Sequence, residues 1–129
     1  LHEVVTMERV LGIGGFFFRA DDPVRLAAWY AEHLGVEPPP PSYDDPVWTQ
    51  QAGETVFAPF GVDDGEPSPH LGPGGWGINF RVADLDAMVA QLRGAGLDVE
   101  VDPQTYPNGR FAQLVDPEGN PVQLWEPSV

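Results

Sequence analysis

Gly77-Ile78-Asn79-Phe80-Arg81-Val82-Ala83-Asp84 restates, about 62 residues on, the earlier run Gly15-Phe16-Phe17-Phe18-Arg19-Ala20-Asp21-Asp22. Each run passes into a stretch of helical spacing, and these stretches close on Leu34-Gly35 and on Ala95-Gly96. Further along, Trp48-Thr49-Gln50 answers Phe111-Ala112-Gln113, and Val56-Phe57-Ala58-Pro59-Phe60 answers Pro121-Val122-Gln123-Leu124-Trp125. Self-similarity at a fixed offset marks one supersecondary unit used twice. Two copies that face each other leave a cleft between them, which is where a ligand would sit.

The local signals fill in each copy. Residues 12–19 alternate around a Phe-rich run and predict a strand. Asp21 or Asp22 caps the helix that follows, with Pro23 near its first position, where a missing N–H costs nothing. Leu26, Trp29, Tyr30 and Leu34 recur at helical spacing, and Gly35 supplies the stop. In the second copy Asp84 caps, Leu85, Met88, Val89 and Leu92 form the apolar stripe, and Gly96 ends the helix. Three short strands are expected after each helix, near 35–37, 46–51 and 54–60 and then near 97–101, 109–115 and 121–126. The run Asp116-Pro117-Glu118-Gly119-Asn120-Pro121 reads as the turn between the last two. Each copy is therefore β-α-β-β-β, in a single α+β domain over 1–129, with module one at about 10–60 and module two at about 76–126. The proline-rich stretch Glu37 to Pro46 predicts a stiff rim loop. Residues 61–75 are either a linker between modules or a flap over the cleft.

Composition narrows the function classes. A chain of 129 residues with 42% hydrophobic residues, four Trp and seven Phe can bury a core without metal or disulfide support. The absence of cysteine excludes a disulfide scaffold, thiolate metal sites and thiol catalysis. No stretch approaches a membrane span or reads as a signal peptide, so a cytoplasmic location is expected. Twenty acidic residues against six basic ones give a net charge of −14, which repels a phosphate backbone and argues against nucleic-acid binding. That field would draw in cationic small molecules, or would serve only to keep the protein soluble.

The strand-x-Asp-Pro-x-x-x-x-x-Trp-Tyr-x-x-x-Leu-Gly pattern is followed by Asp-Leu-Asp-Ala-Met and Leu-Arg-x-Ala-Gly. The chain then closes on Asp-Pro-Glu-Gly-Asn-Pro-x-x-Leu-Trp-Glu. Together these resemble the vicinal oxygen chelate superfamily, over about residues 10–127. That group contains glyoxalase I, extradiol dioxygenases, methylmalonyl-CoA epimerase and the bleomycin and fosfomycin resistance proteins. The resemblance implies a glyoxalase/bleomycin resistance-like fold, in which two tandem modules curl into a cup-shaped mixed sheet, usually in dimers. It also implies four metal-ligand positions, which fall here on Gly15, Ala58, Gly77 and Gln123. Only glutamine among them carries a donor atom, and a one-residue shift brings in Gly14, Phe16, Trp76, Ile78, Phe57 and Pro59, which do no better. The expectation is no metal and no other cofactor.

Strand alternation then proposes what faces the cup. Phe17 and Arg19 share a phase with Gly15, Asn79 and Arg81 with Gly77, Phe60 with Ala58, and Trp125 with Gln123; Trp48 joins them from the neighbouring strand. The eight candidate ligand-binding residues are Phe17, Arg19, Trp48, Phe60, Asn79, Arg81, Gln123 and Trp125. Phe16, Phe18, Ile78, Phe80, Val122 and Leu124 are expected to turn toward the helices. In glyoxalase-like members an Arg at the place of Arg19 helps hold a substrate carboxylate; the plainer reading is that Arg19 and Arg81 pair with nearby acids. Of the three histidines, His2 lies near the terminus, His33 caps a helix end, and His70 is placed to act over the cup only if its segment folds inward. The expectation is a metal-independent small-molecule binding protein, possessing no assignable catalytic residue, that sequesters a cationic or aromatic antibiotic-like ligand and forms a homodimer. The alternatives are a metal-dependent lyase or oxygenase, and a metal-free acid–base isomerase using groups such as Glu54, His70 or Glu126. The residues leave open whether any reaction is catalysed.

Overall fold

The computed structural model describes residues 7–62 and 70–128. Its elements in chain order are α1 (Pro23–Leu34), β1 (Ile78–Arg81), α2 (Leu85–Gly94), β2 (Glu100–Val101), β3 (Gly109–Val115) and β4 (Pro121–Pro127). His2 and residues 63–69 of the 61–75 segment fall outside the described residues.

Both helices begin and end where local chemistry places the boundaries. The Asp22 side chain accepts the Arg25 N–H at the start of α1, with Pro23 in the first turn. Gly35 ends it in the left-handed conformation, φ 73°, a backbone setting in which any Cβ is strained. At α2 the Asp84 carboxylate accepts from Ala87, and Glu126 on β4 reaches across to accept the Leu85 N–H at 2.6 Å. A helix start that leaves its first N–H groups unsatisfied is thus completed by a neighbouring strand.

The sheet runs β1-β4-β3-β2, with β1 parallel to β4 and the other pairs antiparallel. This is the expected β-α-β-β-β unit of module two. Ile78 and Phe80 on β1, Val122 and Leu124 on β4, and Ala112 and Leu114 on β3 turn to the helical side. There they meet Leu85, Val89 and Leu92 of α2 in one cluster. Leu26 and Tyr30 of α1 belong to that same cluster. Burying each such side chain contributes about 1.5–3 kcal/mol, so this cluster is what holds the two helices on the sheet.

The α+β, glyoxalase/bleomycin resistance-like class holds, but the first half of the chain differs from the expected second copy of the module. Among the described residues, 7–22 and 35–62 form no strand, and the strands expected at 12–19, 35–37, 46–51 and 54–60 run as extended chain without a ladder. The reason lies in α1. Its apolar face is spent on the core of the module-two sheet, so the flanking segments have no helix against which to bury a face, and strands without a buried face are marginal. Pro38 to Pro41, Pro46 and Pro59 also remove ladder donors. Phe16 and Phe18, expected to turn toward the helices, pack instead against Trp76, the first edge-on and the second tilted, with ring centroids 5.2 and 4.5 Å away.

Candidate functional site

The face of the sheet turned away from the helices collects what the core phase leaves over. Across the strands, residue partners define two rows. The first is Asn79 on β1, Gln123 on β4, Gln113 on β3 and Glu100 on β2. The second is Arg81, Trp125 and Phe111, in the same strand order. In the first row the Asn79 Nδ2 donates to Gln123 Oε1 at 2.8 Å. Gln113 is half-buried, and Glu100 is exposed at the edge.

The second row is aromatic. The Phe111 and Trp125 rings lie parallel, 6.3 Å apart, and Tyr106 meets the Phe111 ring edge-on at 5.8 Å. Trp125 Nε1 donates to the Asn108 carbonyl at 2.8 Å, and the indole is buried. Tyr106 donates its O–H to Asp102 at 2.8 Å, and that bond raises the phenol above its ordinary range. At the β1 end the Arg81 guanidinium donates to the Gln51 carbonyl at 2.8 Å, with Gly53 packed so closely against it that a side chain there would collide. Arg81 therefore ties the extended 51–53 segment to the sheet.

The structure brings four of the eight sequence-derived candidates onto this face: Asn79, Arg81, Gln123 and Trp125. The other four lie elsewhere. Phe17 is exposed on the N-terminal segment and Trp48 on the segment after the prolines, and Phe60 stands 6.0 Å from the His70 ring. Arg19 lines an open depression of about 560 Å³ between the start of α1, Trp76 and the β3–β4 turn. Among the described residues no hydrogen bond or ring contact joins these four to the sheet face. Sequence reading did not place Phe111, Gln113 and Glu100 on this face. The signal for the first two was present, because Ala112 and Leu114 alternate with them and the turn at 116–120 sets the register to β4.

The four family metal positions do not fit a metal. Gly15, Ala58 and Gly77 carry no donor, and the His70 carbonyl lies against Gly77 so tightly that no side chain could replace its hydrogen. The Gln123 oxygen is committed to Asn79. Among the described residues no three His, Cys, Asp or Glu side chains are arranged to hold an ion.

Beneath the face sits a polar hub that sequence reading took only for a turn. The buried Asp116 carboxylate accepts from Tyr30 O–H at 2.7 Å, from the Glu118 and Asn120 backbone N–H groups, and from Asn120 Nδ2. Burial, then the bond to Asp116, drive the Tyr30 phenol far above its ordinary range. Glu118 in the same turn accepts the Asp21 and Asp22 N–H groups at 2.7 and 3.0 Å, just ahead of α1. The β3–β4 turn thus pins the first helix to the second module.

A family described as a glyoxalase-like domain matches residues 15–125. The chain is 40% identical over 78 residues to the anthracycline biosynthesis protein DnrV of Streptomyces peucetius, covering 58% of this chain and 26% of that one. It is 33% identical over 106 residues to the anthracycline biosynthesis protein DauV of Streptomyces sp. strain C5, covering 77% of this chain and 35% of that one. The chain thus spans about a third or less of the length of these curated relatives. Among solved structures it is similar to TnmS3, an antibiotic binding protein from Streptomyces sp. CB03234, with 25% identity, 95% of this chain and 100% of that one covered, and a TM-score of 0.60. No helix among the described residues is long and apolar enough to cross a membrane.

Proposed function

This chain belongs to the glyoxalase-like domain family, and from that premise we propose that it is a metal-independent small-molecule binding protein whose site is the helix-free face of β1, β4 and β3. One observation carries the reading: the Gln123 position, where the family places a metal ligand, holds an amide bonded to Asn79 within a row of amides beside an aromatic row. Such a face offers ring stacking and neutral hydrogen bonds, the means by which a planar ligand is held without being transformed. Among the described residues no cluster of His, Cys, Asp or Glu is arranged there to hold a Lewis acid, and the amides of the row are neutral groups suited to binding rather than to proton transfer. The likeness to an antibiotic binding protein and to proteins of anthracycline biosynthesis supports a planar, antibiotic-like aromatic ligand.

Titration with the anthracycline daunorubicin, followed by quenching of its own fluorescence, tests the proposal. Saturable binding that is unchanged by EDTA, with the ligand recovered intact by chromatography, is the expected result. The double variant Asn79→Ala, Gln123→Ala should bind about ten-fold more weakly, the loss of about one to two hydrogen bonds. Binding that EDTA abolishes, or conversion of the ligand, would restore the enzyme reading.

A further inference from the structure

We infer that the binding face reads the ligand with a fixed polarity, an ammonium group over the β2 edge at Glu100 and the oxygen-bearing edge of a planar ring system along the amides of β3, β4 and β1. The inference rests on the binding reading above and adds the chemical class and direction of the ligand.

The argument starts from register. Glu100 partners Gln113, Gln113 partners Gln123, and Gln123 partners Asn79, so four polar side chains stand in one line across four strands. With neighbouring strands about 4.8 Å apart, that line is about 14 Å long, a span suited to a fused ring system with a pendant group. The members of the line differ in what they lack. Asn79 and Gln123 share one bond, which orients the Asn79 carbonyl oxygen and the Gln123 amide nitrogen for further partners, whereas the half-buried Gln113 amide makes no bond within the described residues. A half-buried amide beside an aromatic row can both donate to a ring carbonyl and accept from a ring hydroxyl.

The ends of the line carry the polarity. Glu100 makes no ion pair among the described residues, since the nearby cations are engaged elsewhere. Arg93 donates to the Val99 carbonyl, and Arg110 pairs with Asp86 on the helical side. Asp102, next on the same edge, is occupied by Tyr106. At the opposite end Arg81 is held by the Gln51 carbonyl and keeps its positive charge on the face. A cationic group is therefore drawn to the β2 edge and repelled from the β1 edge, in a protein whose overall charge of −14 favours its approach.

The test compares daunorubicin, which bears a charged amine, with its N-acetyl derivative, which keeps the rings and sugar but not the charge. Wild-type protein should bind the amine about five-fold more tightly at low ionic strength, with the difference shrinking in about 0.5 M NaCl. Glu100→Gln should cut the preference to about two-fold, the part due to the overall charge, while leaving the N-acetyl affinity unchanged, and Glu37→Gln, which removes an equal charge elsewhere, should keep it in full. Gln113→Ala should weaken both ligands alike. A preference that Glu100→Gln leaves undiminished overturns the polarity while leaving the binding reading intact. Wild-type protein that binds neither compound overturns both.

Discussion

Four donors converge on the Asp116 carboxylate, and only one of them, the Tyr30 hydroxyl, comes from outside its own turn. A buried carboxylate without a cation is tolerable only when its oxygens are satisfied, so this bond both stabilises the charge and ties two distant parts of the chain together. Tyr30→Phe should lower unfolding stability near neutral pH by about 1–2 kcal/mol, read by urea titration. The alkaline limb follows from the raised phenol. Tyrosine in the unfolded chain ionises near pH 10, while folded Tyr30 stays protonated well beyond it. Its contribution is therefore fully present below about pH 10 and is lost as pH climbs toward the higher folded value. The stability gap between wild type and Tyr30→Phe should narrow above pH 10, and a gap that widens there would contradict the assignment.

At the scale of elements, α1 owes its position to the β3–β4 turn as much as to its own apolar stripe. Leu26 and Tyr30 enter the core of the module-two sheet, Glu118 takes the N–H groups just before the helix, and Asp116 holds Tyr30. Asp116→Ala removes the acceptor for all four donors at once and should cost about 2–4 kcal/mol. Hydrogen exchange gives the sharper readout. Amides of residues 23–34 should lose protection more than those at the centre of β4, whose ladders to β1 and β3 remain. Equal loss in both would mean that the turn stabilises the sheet itself rather than docking the helix.

For the whole molecule, 20 acidic residues face six basic ones. Among the described residues, Arg110 with Asp86 is the ion pair at close range, at 3.0 Å, and both partners are accessible to solvent. Self-repulsion among unpaired carboxylates therefore outweighs local attraction, and screening it should stabilise the fold. Raising NaCl from about 10 to about 300 mM should increase the Tm by a few degrees, measured by calorimetry. A falling Tm would show that attractive pairs dominate. The first half of the chain adds a second global property. Phe17 at 94% and Phe57 at 88% exposure present apolar surface on extended segments. Such surface calls for a covering partner, and the expected homodimer, which remains a proposal, is one way to supply it.

Much of this protein was legible before any coordinates. The cap at Asp21 or Asp22, of which the structure takes Asp22, those at Asp84 and Gly35, the stripes of both helices, and the alternation that sends Phe80 and Leu124 inward while Asn79 and Gln123 face out are all short-range effects. They depend on neighbours within a few residues, which is why composition and spacing suffice to read them. The loss of donors at Gly15, Ala58 and Gly77 was equally plain. What only the tertiary structure decided are the pairings between residues far apart in the chain. Tyr30 meets Asp116 across 86 positions, Glu100 lines up with Gln113, and Arg81 is claimed by Gln51. The extended first half belongs to the same class. Its residues have strand character, yet a strand forms only where a partner and a buried face are supplied, and α1 gives its apolar face to the other module's core.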